Sequence, residues 1–427
     1  MTPLVVLNVV GLTPRLAAHA PRLSALGGIA PWRSPLPAVT CTSQATMLTG
    51  TAPREHGIVG NGWYYRDTAE VRFWQQSHAL IQRRCFYEDF DTAKMFWWFN
   101  GSAPVQASCT PKPHYGSDGS KAFDVYDRTG CDLTDRLGPF PFFSFWGPHA
   151  GLPSSRWIAE ASALVIRQRQ PQLTLVYLPH LDYDHQRSSD PPISLVTEVD
   201  QCAAIVIDAA TSIGAQVVAV SEYGLMPVDR PIHINQALRR EGLLETRGGP
   251  FGSQLVPGDC RAFAVADHQL AHVYVKNPGD RESVRRIISD LPGVAAVVPA
   301  GDLELDHERA GDWIALAEPN SWFTYYFWGE GETPPDYAPT VDIHRKPGYD
   351  PVELFATSKL RAVARVAQKK LGFRYRMDVI PLDATLVGGS HGIHPADPMD
   401  GPVIIGPGQL PETMTEFPRY AVGRLNA

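Results

Sequence analysis

The chain has 427 residues, 44% of them hydrophobic, with a formal net charge of −7 at pH 7 and an isoelectric point of about 6.1. That length accommodates one large α/β domain with a subdomain, or two domains, around a sizeable core. The acidic balance excludes a nucleic-acid footprint, so no nucleic-acid polymer is expected as a partner. No stretch reaches the length of a membrane span, so no membrane partner is expected. The six cysteines (Cys41, Cys85, Cys109, Cys131, Cys202 and Cys260) lack zinc-like pairing and fit reduced thiols in a cytoplasmic protein.

Residues 4–10 read as a buried strand with no basic leader before it. It ends at Gly11, at the edge where α/β sheets place ligands. Residues 13–27 are predicted helical and 29–37 extended. Thr40 then stands where a turn feeds a helix predicted over 43–49 and stopped by Gly50. A rigid loop, Ala52-Pro53-Arg54-Glu55-His56-Gly57-Ile58-Val59-Gly60-Asn61, follows. Residues 62–155 are rich in aromatic residues, Gly and Pro, as in Phe96-Trp97-Trp98-Phe99. They form either a cap over the site or dense core packing, and packing is the commoner fate of such rings. Lys94 precedes that cluster, where a solvated lysine competes with a contact to an anionic substrate.

An amphipathic helix is predicted over 156–170 and a buried strand over 173–179, with Asp182 following its C-terminal end. A second helix over 196–213 turns Val199, Cys202 and Val206 inward. The next parallel strand is 216–221, followed by Glu222-Tyr223-Gly224. This β-α-β rhythm predicts an α/β fold with a doubly wound, mostly parallel sheet that delivers Gly11, Asp182 and Glu222 to one edge near Thr40. Runs at 263–265, 272–275 and 294–298, with a helix at 281–290, suggest a small α+β insertion; 313–317 and 322–328 read as further strands. In the return to the core, Asp342 and His344 are predicted on one face of a strand beside Arg345 and Lys346. A last loop is Gly388-Gly389-Ser390-His391-Gly392. The expected division is 1–61 core with the Thr40 loop, 62–155 aromatic-rich cap or insertion, 156–245 core, 246–335 small α+β insertion, and 336–427 return to the core.

A threonine hydroxyl is a weak nucleophile at neutral pH and needs a base or a metal to activate it. At a helix N-terminus it gains free backbone N–H groups and the positive end of the dipole, both suited to a phosphoryl group. An amide such as Asn61 suits an equatorial oxygen. The plain alternative is a Thr-rich turn with an ordinary helix cap.

The spacing from Thr40 through Leu48-Thr49-Gly50, Pro53 and His56-Gly57-Ile58 to Asn61 resembles the nucleophile segment of the type I phosphodiesterase/nucleotide pyrophosphatase family, within the alkaline phosphatase superfamily. The resemblance implies an alkaline phosphatase-like fold and metal-dependent hydrolysis of phosphodiester or pyrophosphate bonds in a small phosphorylated or nucleotide-like substrate. It makes Thr40 the nucleophile and Asn61 a holder of a phosphate oxygen. It also implies two metal ions on six side chains. Asp182 and His391 match that pattern, and Glu222 replaces an Asp as oxygen ligand. Val10 and Tyr223 stand where the family has an Asp and a His; Gln186 stands where it has a second His, with His185 one residue before. Asp342 and His344 are candidate replacements, so the expectation is one or two ions, zinc first, with Mn²⁺ or Mg²⁺ favoured by an oxygen-rich set. The Asp267-His268 and His272 cluster, within the presumed insertion, and His233 after the Glu222 loop could also fill the gap, although for each lone His a hydrogen-bonded structural role is the commoner outcome. The alternative function is a catalytically altered or inactive metabolite-binding protein on the same fold, with Val10 and Tyr223 as the marks of lost hydrolysis.

Overall fold

The computed structural model describes the chain apart from residues 118, 119, 330, 372, 374 and 375, and apart from the side chains of 359, 362, 366, 369 and 370 within one helix. An eight-stranded sheet runs in the order Gly28–Pro31, Val403–Gly406, Gln216–Val220, Leu4–Val9, Leu173–Leu178, Thr92–Met95, Ala107–Pro111, Val125–Asp127. The strands from Gln216–Val220 to Ala107–Pro111 are parallel, and antiparallel pairs close both edges. Leu4–Val9 lies near the middle and is buried along its whole length. Such continuous apolar runs are what a parallel strand covered on both faces requires. The helices Leu152–Arg169 and Ser194–Ser212 pack on each other and on the central strands. Val199, Cys202 and Val206 are fully buried on the inward face, as their spacing predicts.

Several elements depart from the sequence expectation. The stretch 13–27 holds two short helices, Pro14–Ala17 and Pro21–Ser24. Each opens on a proline, which starts a helix readily but cannot continue one. The aromatic stretch contributes three strands of the central sheet, Thr92–Met95, Ala107–Pro111 and Val125–Asp127, with Phe96, Trp97 and Phe99 in the core. Lys94 is neither solvated nor facing a ligand. It is buried with Nζ donating to the Phe99 carbonyl at 2.9 Å, and burial lowers its pKa to about 7.

The expected α+β unit is present. Its antiparallel sheet runs Ala262–Asp267, Leu270–Val275, Trp313–Ala317, Val294–Val298, with the helix Arg281–Ser289 packed against it. Of the strand expected over 322–328 only the first part forms, as Ser321–Phe323, which pairs with Arg230–Ile232. Asp342 and His344 lie in turns, not on a strand. Gly224 is required by packing: a Cβ there would lie 1.8 Å from the Asp400 carbonyl oxygen.

Candidate active site

The central strands end where the site begins. Leu4–Val9 pairs with Leu173–Leu178 on one side and Gln216–Val220 on the other, so Gly11, Asp182 and Glu222 meet at one sheet edge. Gly11 has a φ of +80°, and a Cβ on it would crowd Leu225 at 3.1 Å and the Asp182 backbone. The third component is the helix Thr40–Thr49, which starts three residues earlier than its apolar pattern suggests. Val39 is its N-cap, Thr40 its first residue, and Gly50 ends it in the left-handed conformation. The helix is short and almost wholly buried, so its first backbone amides and Thr40 point into protein rather than water.

Around Thr40 the hydroxyl is 3.2 Å from the Tyr223 phenol and within electrostatic reach of Glu222 and Tyr177. Glu222 Oε1 accepts from Asn8 Nδ2 at 2.5 Å and Gln44 Nε2 at 2.6 Å, while its buried Oε2 has no hydrogen-bond partner among the described residues. Burial raises the Glu222 pKa to about 8, against the pull of those two amides. The Cys41 N–H donates to Asn61 Oδ1 at 3.0 Å, and Asn61 Nδ2 donates to Asp267 Oδ1 at 3.0 Å. Asn61 therefore sits beside the Thr40 helix N-terminus, held there by Asp267.

On the other side, Asp182 Oδ2 accepts from Gln186 Nε2 at 2.7 Å, and Gln186 Oε1 accepts from the Tyr349 hydroxyl at 2.6 Å. Asp182 Oδ1 is buried 3.9 Å from His391 Nε2, and among the described residues neither atom has a hydrogen-bond partner by distance and angle, though the Tyr223 phenol lies near enough to the Asp182 carboxylate to lower its pKa. His391 Nδ1 lies 2.7 Å from the Ala38 carbonyl, so Nδ1 carries the proton and Nε2 the free lone pair. Burial lowers the His391 pKa to about 3 and raises that of Asp182 to about 7. The rings form a column: Tyr223 stacks on His391 at 3.5 Å, His391 on His268 at 3.6 Å, and His268 on Tyr349 at 3.7 Å between centroids.

The structure thus brings together Thr40, Asn61, Asp182, Glu222 and His391. Gln186 shares the face of Asp182 on the helix His180–Arg187, because i and i+4 coincide there. His185, one residue short of that register, lines a separate small cavity with Met226 and Gly389. Asp342 and His344 are elsewhere. His344 Nδ1 faces the Phe73 carbonyl at 3.2 Å and its ring lines an open groove with Tyr337 and Arg345, while Asp342 is 3.9 Å from Arg345. His233 and His272 have the hydrogen-bonded structural roles expected of them, on Thr324 and on the Val59 carbonyl. Asp267 and His268 are the pair whose place the sequence hid. They stand at the tip of the hairpin joining Ala262–Asp267 to Leu270–Val275, where His268 has a φ of +64°. The signal was there: a polar Asp-His-Gln turn between two buried apolar strands.

Among the described residues, no three His, Cys, Asp or Glu side chains converge as a group able to hold a metal. The two halves of the site differ in their fit to an ion. Asp182 Oδ1 and His391 Nε2 are adjacent and have no hydrogen-bond partner among the described residues, and the His391 tautomer leaves Nε2 a lone pair for an ion. The Glu222 half does not fit a second: Val10 has no donor atom, Tyr223 is held neutral by burial, and Glu222 Oε1 is already taken by two amides.

Sheet order and site geometry together define an alkaline phosphatase-like hydrolase fold. The chain belongs to the type I phosphodiesterase/nucleotide pyrophosphatase family, which matches residues 4–350. Its fold is similar to that of phosphonoacetate hydrolase from Sinorhizobium meliloti 1021 in complex with phosphonoformate, with a TM-score of 0.63 and 14% identity over 99% of this chain and 96% of that one. It is also similar to murine ectonucleotide pyrophosphatase/phosphodiesterase 5, with a TM-score of 0.58 and 12% identity over 100% and 95%. An inactive form of the murine protein in complex with AMP gives a TM-score of 0.57 at 12% identity over the same shares. No curated protein matches the chain.

Proposed function

We infer that the protein is a phosphoric ester hydrolase acting on a phosphodiester or pyrophosphate bond of a small, nucleotide-like substrate, with Thr40 as nucleophile. One observation carries this reading: a buried threonine hydroxyl at a helix N-terminus, within reach of a carboxylate that burial pushes up to a pKa of about 8. The AMP and phosphonate ligands of the similar structures support the substrate class.

In this reading Thr40 Oγ1 attacks phosphorus, its proton passes to ionised Glu222, and the phosphorus bond to the leaving oxygen breaks. The departing oxygen takes that proton from Glu222; water then attacks phosphorus and passes a proton to Glu222, which returns it to Thr40 Oγ1 as the phosphorus–Oγ1 bond breaks. Tyr223, kept neutral by burial, orients Thr40 by hydrogen bonding. The Cys41 amide and Asn61 bind a non-bridging oxygen once Asn61 Oδ1 releases that amide. A divalent ion on Asp182 and His391 would add positive charge beside the phosphoryl oxygens.

The packing of Tyr223 against His391 favours a second reading, a binder on the same fold, because a phenol occupies the position the family gives to an imidazole ligand. Turnover of bis(p-nitrophenyl) phosphate separates the two. The hydrolase reading expects release of nitrophenol by the wild type and none by Thr40→Ala. Binding of AMP with no turnover under any metal supplement would leave only the binder.

A further inference from the structure

Asn61 has one polar hydrogen left over. Its backbone N–H donates to Asp267 Oδ2 at 2.7 Å, and its carbonyl accepts from the Trp74 N–H at 2.9 Å. In its side chain, Oδ1 accepts from the Cys41 N–H, and Nδ2 gives one of its two hydrogens to Asp267 Oδ1. The second Nδ2 hydrogen has no bond among the described residues. Asn61 and Asp267 are both buried. The orientation of the amide follows from its two neighbours: a backbone N–H demands the oxygen, and a carboxylate demands the nitrogen. The carboxylate reaches this close because residue 60 is glycine; a Cβ there would stand 3.0 Å from Asp267 Oδ2. The hairpin tip that carries Asp267 is anchored as well. Gln269 N–H donates to the His391 carbonyl, and Gln269 Nε2 to the Pro319 and Ser321 carbonyls.

We propose that Asp267, on the hairpin of the second sheet, is a positioning residue that sets which atom of the Asn61 amide meets the phosphoryl group. In the hydrolase reading, on which this role rests, the Cys41 amide leaves Asn61 Oδ1 for a phosphoryl oxygen. One of the two constraints on the amide is then lost. A half-turn of the amide would put Oδ1, an acceptor, against a negatively charged oxygen. Ionised Asp267 has no hydrogen to offer Oδ1, so the turned amide would also set two acceptors against each other on the Asp267 side. Nδ2 therefore stays on Asp267, and its second hydrogen is left for the phosphoryl oxygen. Burial raises the Asp267 pKa to about 7 against the pull of the two Asn61 bonds, so the ionised form prevails on the alkaline side, where Glu222 is also ionised.

The test is a double-mutant cycle of Asp267→Asn with Asn61→Ala in the full chain. It is read by AMP affinity in calorimetry and by turnover of bis(p-nitrophenyl) phosphate at alkaline pH. An amide at position 267 offers a donor as well as an acceptor, so it no longer enforces one orientation on Asn61. Asp267→Asn alone is expected to lower kcat/KM by ~10²-fold and AMP affinity by ~10-fold. In the Asn61→Ala background the same change is expected to move either readout by less than ~3-fold, because no amide is left to orient. A merely structural Asp267 would cost the same in both backgrounds. That result, or near-wild-type affinity and turnover in Asp267→Asn, would overturn the proposal. Turnover absent from the wild type, with the AMP coupling intact, would remove the hydrolase reading and leave Asp267 in this role. Coupling absent from both readouts would overturn the proposal whatever the wild type does. Should Asp267→Asn fail to fold, Gly60→Ala, which crowds the same carboxylate, goes through the same cycle with the same expected outcomes.

Discussion

On the Glu222 side of Thr40, two amide donors, Asn8 and Gln44, share one carboxylate oxygen. On the Asp182 side, Asp182 Oδ1 and His391 Nε2 face each other without hydrogen-bond partners among the described residues. The two halves share one sheet edge and equal burial, so burial alone does not make an ion site. What differs is what stands beside the oxygen each carboxylate keeps open: His391 Nε2 faces Asp182 Oδ1, while Val10 and Tyr223 give the Glu222 side no imidazole nitrogen. A carboxylate beside the Thr40 hydroxyl and raised to a pKa of about 8 is suited to taking a proton; a carboxylate whose open oxygen lies beside a free imidazole nitrogen is suited to a cation.

The sharpest way to break this comparison is at Thr40, which both halves serve. Thr40→Ala is expected to reduce phosphodiester turnover by ~10³-fold or more with little change in thermal midpoint. Near-wild-type turnover in the folded variant would remove Thr40 from the chemistry. Glu222→Gln tests the proton-accepting half. It keeps a hydrogen-bonding group of the same size but cannot accept the proton, so a loss of about 10²–10⁴-fold is expected. Because Glu222 must be ionised to act and its pKa is raised, wild-type kcat/KM is expected to rise with pH toward a limb near 8, and the variant to lack that limb. Asn8→Leu removes a donor that favours the ionised form, and should move the limb to higher pH. A limb unmoved by either change would contradict the assignment.

The Asp182 half is tested by metal content. Asp182→Asn and His391→Ala are each expected to lower bound Zn²⁺ or Mn²⁺ from about one ion per chain toward zero by elemental analysis. Two ions per wild-type chain would erase the asymmetry. The smallest effect is expected from Tyr349→Phe, which leaves Gln186 without its hydroxyl partner and loosens its grip on Asp182. A metal affinity about 10-fold weaker is expected, with the Glu222 pH limb unchanged.

Much of this was legible in the sequence because local rules agreed with global ones. Continuous apolar runs at 4–9, 173–178 and 216–220 marked buried parallel strands, and the polar residues just beyond them had to share one edge. Thr40, Asp182, Glu222 and His391 were found that way or through the family resemblance. Asp267 and His268 were visible as a polar cluster but not placeable at the site, and Tyr349 was not singled out, because their place depends on how a hairpin from a second sheet folds back across the cleft. Asp342 and His344 misled for the opposite reason: their two-residue spacing means a shared face only on a strand, and the chain there is a series of turns. The roles of Asn8, Gln44 and Gln186 were hidden by their neutrality, since an amide shows its function only once its carboxylate partner is in place.

The most direct test of the central claim is mass spectrometry of the peptide bearing Thr40 after a rapid acid quench of enzyme turning over bis(p-nitrophenyl) phosphate. The account predicts a phosphoryl-ester adduct on Thr40 in the wild type and none in the Thr40→Ala enzyme. Steady turnover with no adduct on Thr40 at any quench time, in a wild type whose Thr40→Ala form remains active, would contradict it.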